Sequence, residues 1–555
     1  MSDWAVDLAK HRTQYGPRNS AATASFPVCL ATKQEVVGGK LKMNRRAGVW
    51  SAVIGVLACT VIAPPTGAQS DLQRDSGDVF QPPNTPNVHL LSHIPLGRSL
   101  TISGIAMDQD ANRPYVYVSR MQEPGSPAGF NLISVKDPAH AKVIYTYRIS
   151  DPDLHKGLGG MEGKTFRYAG RYYYVQAFQF AQGSPDADLG AIVFDVTGLP
   201  DPTTIKEVGR IIAPNSARGA TGYCPMATPG GCGVPGGFHN VFPYRHSDGR
   251  TLLFTTTLTG TYASIFDLAK FLAKAPNQGL ISQVPVPGAT GRYHDFVVEY
   301  DPATHQDKFY GGAQPGGYFV FDVTKPETPK LLTSITVEPG AVVSAFGRGH
   351  TITPTPDGRY VVTETEYQYA PLRIFDLKPG LDGKVATISH PIGAWTPNWQ
   401  DLPHNHEVRW PYVFVSAYED GMQIFNMLDP ANPHTVGYYR TYDGPHMTGA
   451  TQSGRPDTTQ VSQHAGTGTV LNGAWGIAVR NSDGLIVISD MTTGFWAFHM
   501  DGFDGWDGHN WGMPNISTAQ DWDHGPEGAP PHPTATAAPK VASRPAGTTA
   551  GSGSH

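Results

Sequence analysis

The sequence predicts an all-β chain: a seven-bladed β-propeller of four-stranded blades, its ring closed by an N-terminal strand. Three observations predict it. One stretch, residues 404–441, reads as four short strands separated by turn residues. A third-strand signature, often followed by a proline turn, recurs seven times along the chain. Finally, a strand that the last repeat lacks stands in front of the first.

Within residues 404–441, strands are expected at 407–409, 412–417, 422–427 and 435–440. Between them lie Trp410-Pro411, Asp420-Gly421 and Asp429-Pro430-Ala431-Asn432-Pro433, whose backbone preferences make turns. Four antiparallel strands of this length cannot bury both faces alone, so they need neighbours of the same kind. The neighbours are marked by Leu132-Ile133-Ser134-Val135, Ile192-Val193-Phe194-Asp195 and Ile265-Phe266-Asp267-Leu268. Phe319-Val320-Phe321-Asp322, Ile374-Phe375-Asp376, Ile424-Phe425-Asn426 and Phe495-Trp496-Ala497-Phe498 continue the series. Spacing ranges from 50 residues (Phe375 to Phe425) to 73 (Phe425 to Phe498), as expected for unequal loops on a fixed module. Four-stranded modules at this period read as propeller blades.

The seventh unit runs straight into Asp501-Gly502 and lacks a fourth strand, whereas 88–94 (VHLLSHI) has the look of one. Pairing the two would remove both open sheet edges. With these units in view, the chain resembles the LVIVD-repeat proteins, a family of secreted bacterial β-propellers, over residues 88–522. The resemblance implies a fold and a compartment; it carries no settled activity.

The chain of 555 residues is 39% hydrophobic and 10% aromatic, enough for a large core. Its net charge of −6 and lack of a basic run argue against nucleic-acid binding. Residues 1–42 are expected to be an upstream extension that is not part of the protein. From Met43, Asn44-Arg45-Arg46, an apolar run over 47–63 and small residues before Gln69 form a signal-peptide pattern over 43–68. The apolar run is too short and glycine-interrupted for a transmembrane span. Export to the periplasm or outside the cell is therefore expected, with lipoprotein processing at Cys59 the second choice. Residues 69–87 read as a linker, 88–522 as the propeller and 523–555 as a disordered Pro-Ala-Thr-Gly-Ser tail. In an exported protein, Cys224 and Cys232 are expected to close a disulfide.

Aligned blades share one polar position at the start of the first strand. His239 stands there in blade three, His294 in blade four, His350 in blade five, and His404 or His406 in blade six. First strands line a propeller's channel, so equivalent positions ring its axis and aim these imidazoles at one volume. Imidazole is the commonest ligand of Zn, Cu and Fe sites, and Glu162 of blade two could add a carboxylate from across the channel. A divalent transition metal is expected, with Fe, Cu, Zn and Mn not distinguished. The structural alternative has each histidine bonding a neighbouring blade's backbone. Glu364 and Tyr367, at the end of a strand in blade five, are candidates for base and acid; the plainer reading makes them an exposed loop end.

No His-Glu-x-x-His, Gly-x-Ser-x-Gly or phosphate loop accompanies these residues. The arrangement is similar to propellers with axial histidine metal centres, such as the carotenoid oxygenases, the selenium-binding or methanethiol oxidase proteins and some polysaccharide lyases. That analogy implies a metal-dependent oxidoreductase or lyase acting on a small molecule or saccharide in the channel. The alternative is a non-catalytic binding or scaffold propeller with structural histidines, for which a protein partner fits.

Overall fold

The computed structural model describes residues 84–97, 101–122, 126–155, 157–180, 186–214, 236–257, 260–289, 291–314, 316–336, 349–366, 370–397, 402–443, 472–507 and 519–526. The chain divides into two compact units, 1–65 and 66–555, and all described residues belong to the second. The expectations for the upstream extension, the signal peptide, Cys59, Cys224, Cys232 and Tyr367 fall outside the described residues. Among the described residues no helix is long and apolar enough to cross a membrane.

Seven antiparallel sheets form the seven blades of a propeller. The first strands are Ile102–Met107, Gly157–Tyr168, Asn240–Arg245, Arg292–Asp301, Thr351–Pro354, His406–Arg409 and Ala474–Val479. They are mostly buried, whereas fourth strands such as Lys142–Arg148 are partly exposed, as an axial and a rim position require. The repeated signature is the third strand, and its chemistry is local. Phe194, Phe266, Phe375 and Phe425 are buried in the blade cores. The residue after each is an Asp or Asn whose side chain accepts a backbone N–H of the following turn. Asp195 takes that of Thr197 (3.0 Å), Asp267 that of Lys270 (3.1 Å), Asp376 that of Lys378 (2.9 Å) and Asn426 that of Leu428 (2.8 Å). The motif therefore couples a core anchor to a turn starter.

Val88–Ile94 pairs antiparallel with Gly494–Met500 as the fourth strand of blade seven, from Val88 opposite Met500 to Ile94 opposite Phe495. The ring is closed by the N-terminal strand, as expected. Residues just outside 88–522 also touch the blades. Before residue 88, Thr85 donates its N–H to the Tyr438 carbonyl (3.1 Å) and Asn87 its amide to that of Val436 (3.0 Å), so this end of the linker is tied to blade six. Beyond residue 522, Asp523 pairs with Arg167 at 2.8 Å. Blade four also gains a fifth strand, Thr387–Ile388, parallel to Lys330–Ile335.

Candidate metal centre

All four histidines of blades three to six stand at one mouth of the channel. His239 and His350 directly precede their first strands, His404 stands two residues before His406–Arg409, and His294 lies within Arg292–Asp301. Neighbouring rings follow one another around the axis, with centroids 4.0 Å apart for His239–His294, 4.2 Å for His294–His350 and 4.8 Å for His350–His404. All four are buried.

A strand would normally send consecutive side chains to opposite faces. Blade four escapes this with a bulge between Tyr293 and Phe296, which holds both His294 and Asp295. Bulges recur at the same end of the first strand in blades one, two and seven, between Ile102 and Ile105, Gly160 and Gly163, and Ala474 and Gly476. Such bulges re-aim side chains beside functional sites.

The rings are held from behind. His404 Nδ1 lies 2.6 Å from the Trp475 carbonyl, and His350 Nδ1 lies 2.6 Å from Glu364 Oε2. Neither oxygen can donate, so in both rings Nδ1 carries the proton. His239 Nδ1 makes the same kind of contact with Gln179 Oε1 at 2.7 Å. In each case Nε2 keeps its lone pair. Among the described residues, Nε2 of His350 and of His404 is buried without a hydrogen-bond partner.

Two carboxylates face these nitrogens. Asp295 lies 3.7 Å from His239 Nε2 and 4.0 Å from His350 Nε2, while its oxygens also accept from Asn240 (2.8 Å) and Thr351 (3.3 Å). Glu366 lies 3.4 Å from His350 Nε2 and 3.9 Å from His404 Nε2, and accepts the Tyr418 hydroxyl at 2.8 Å. His239, His294 and Asp295 form one group able to hold a metal ion; His294, His350 and Glu366 form another. Ligand atoms about 2.1 Å from a tetrahedral ion lie roughly 3.4 Å apart, so the spacing and the donor set fit a transition metal. Glu366 and Tyr418 both have φ in the left-handed region, +52° and +34°. Backbone of this kind costs about 1–3 kcal/mol for a non-glycine residue and concentrates at functional sites.

Burial, reinforced by the neighbouring His294, holds the His239 and His350 imidazoles well below their ordinary pKa. They stay neutral at physiological pH, the protonation state a metal ligand needs.

The other expected site residues are placed differently. His406 is buried but belongs to neither metal-capable group; it lines a small cavity, and burial lowers its pKa to about 4. Glu162 lines that same cavity, which Asp295 also lines, and is paired with Lys164 (2.9 Å) and Asn405 (3.3 Å); it belongs to neither metal-capable group. Glu364 is fully buried, which corrects the picture of an exposed loop end. Its oxygens accept from His350 Nδ1 and from the Glu366 N–H, so it orients the ring and the next carboxylate. Asp295 and Gln179 were not singled out from sequence, whereas Glu366 and Tyr418 stand at the strand ends of blades five and six that the sequence places near the channel. The signal for Asp295 was its adjacency to His294, and for Glu366 its position two residues beyond Glu364.

No protein-family model matches this chain, and no curated protein matches it. Among solved structures it is similar to Raptor from Chaetomium thermophilum, at 9% identity and a TM-score of 0.45, over 76% of this chain and 30% of that one. The chain thus spans under a third of that protein's length.

Proposed function

We propose that this chain is an exported metal-dependent enzyme, an oxidoreductase or lyase acting on a small molecule at the histidine mouth of the propeller. The observation that carries the metal reading is the orientation of the rings. Metal-ligating histidines almost always donate their second N–H to a carboxylate, carbonyl or similar acceptor, which fixes tautomer and direction. His239, His350 and His404 each do so, to Gln179, Glu364 and the Trp475 carbonyl. Histidines that merely bonded neighbouring blades would not leave two buried lone pairs turned toward carboxylates.

His239 and His294 with Asp295, or His294 and His350 with Glu366, would hold the ion, and His404 stands beside them. A divalent transition metal bound there supplies Lewis-acid or redox chemistry at a water-poor site. The chain's own part is to keep the His239 and His350 imidazoles neutral, to set the direction of His239, His350 and His404 from behind, and to hold a carboxylate–phenol pair beside them. Tyr418, raised well above its ordinary pKa by burial and by Glu366, stays protonated and donates its one hydrogen bond to Glu366, holding that carboxylate beside the rings.

Metal analysis of the mature chain after purification without chelators tests the reading. Near-stoichiometric Fe, Cu, Zn or Mn that is lost in a His350→Ala variant is the expected result. A chain that takes up no such metal when reconstituted would leave a scaffold propeller.

A further inference from the structure

The opposite mouth of the channel holds a second cavity. The first strands end there: Asp108 follows Ile102–Met107, and Phe166 and Arg167 lie near the end of Gly157–Tyr168. Residues 519–523 cross this mouth and complete a cavity of about 430 Å³. That volume falls within the range of about 300–1,000 Å³ usual for small-molecule sites.

The wall is specific in its chemistry. Trp522 and Phe166 contribute aromatic rings with centroids 6.5 Å apart, and Tyr172 carries the Arg167 guanidinium over its face at 4.9 Å. Side-chain amides and carboxylates fill the rest. Two buried atoms of lining residues have no hydrogen-bond partner among the described residues: Asp108 Oδ2, an acceptor, and Arg167 Nε, a donor. Asp108 is 5% exposed, and its Oδ2 is ion-paired with Arg113 Nε at 3.5 Å. A buried polar atom left unmatched costs about 1–3 kcal/mol; Arg113 offsets part of that at Asp108, and the Arg167 N–H keeps it in full, so a hydrogen-bonding ligand gains most at Arg167.

Charge narrows the ligand. An anion would meet Asp108, Asp521 and Asp523; a cation would leave the Arg167 N–H unmatched. A hydroxyl group donates and accepts, and the C–H face of a sugar ring lies flat on an aromatic side chain. We propose that the far mouth is a binding site for a neutral polyhydroxylated ligand of mono- or disaccharide class, bound against Trp522 and between Asp108 and Arg167. Burial raises the Asp108 pKa to about 7, so near neutrality this carboxyl is available in both donating and accepting forms. The site does not depend on the metal reading.

The test titrates the full chain with glucose, galactose, N-acetylglucosamine, maltose and cellobiose, with glucose 6-phosphate and spermidine as charged comparators. Calorimetry and saturation-transfer NMR provide the readouts. At least one neutral sugar is expected to saturate with millimolar or tighter affinity. Trp522→Ala should weaken it tenfold or more, and the near-isosteric Asp108→Asn should weaken it as well. Should Trp522→Ala fail to fold, Asp108→Asn decides. The proposal is overturned if no neutral sugar saturates by roughly 50 mM, if only the charged comparators bind, or if binding survives undiminished in the folded variants.

Discussion

At the residue scale, the site is defined by which nitrogen of each ring is free. Glu364 acts on the ion only through His350, since its oxygens are engaged by His350 Nδ1 and the Glu366 N–H. Glu364→Gln should therefore weaken metal binding by about 10–100-fold, the usual effect of removing a partner behind a ligating histidine. His350→Ala removes a ligand outright and should lower metal content and activity together. His499→Ala, in the third strand of blade seven and near Asp501 and Asp504, should change neither. Chelator competition on the three variants checks the order; equal affinity in wild type and Glu364→Gln would remove the orienting role. Tyr418→Phe deletes the 2.8 Å bond to Glu366 and should alter the d–d spectrum of the cobalt-loaded chain while leaving its stoichiometry intact. An unchanged spectrum would show that Glu366 is not held by the phenol for the metal.

At the element scale, the ring depends on a strand contributed from the far end of the chain. Val88–Ile94 pairs with Gly494–Met500 from Phe495 to Met500, and its first residue, Val88, is packed in the same core as Val408, Phe425 and Phe498. Deleting residues through 98 leaves the outer edge of Gly494–Met500 unpaired, so the shortened chain should melt lower and self-associate. A monomer with the parental melting temperature, by light scattering and calorimetry, would overturn the closing role. This element was legible in the sequence because the seventh repeat visibly lacked its fourth strand. The third strands were legible for a related reason: a buried Phe followed by a turn-starting Asp writes packing and turn in adjacent letters. The bulges were not legible. Strict alternation would send only one of His294 and Asp295 into the channel, and nothing in Tyr293-His294-Asp295-Phe296 announces the extra residue that turns both inward. His404 and His406 also looked interchangeable in sequence, whereas His404 stands beside the His350 ring and His406 lines the small cavity.

At the scale of the whole molecule, the buried imidazoles link stability to pH. His239 and His350 lie well below their ordinary pKa, and His406 lies at about 4, in each case chiefly through burial. Below about pH 6.5 the unfolded chain protonates these rings while the folded chain does not. The unfolded state then binds more protons, so their contribution is present above pH 6.5 and is lost as pH falls toward the folded pKa. For His406 the window runs from about 6.5 to about 4 and is worth roughly 3 kcal/mol. Asp108, raised to about 7 by burial, contributes the opposite slope: its folded state holds a proton that the unfolded chain releases above about pH 4. The two tendencies overlap, so the total pH profile decides nothing, and the difference between two chains does. In metal-free protein, the stability of wild type relative to His406→Gln should fall by roughly 3 kcal/mol between pH 7 and pH 4 in denaturant titrations. Zinc added at about 100 times its dissociation constant should stabilise the folded chain by about 2.7 kcal/mol at pH 7.5. That gain should shrink toward pH 4.5, because protons compete for the nitrogens the ion needs. A wild-type advantage that stays constant with pH would mean that His406 is not held neutral by burial. A zinc gain equal at both pH values would mean that the ion binds away from the histidine ring.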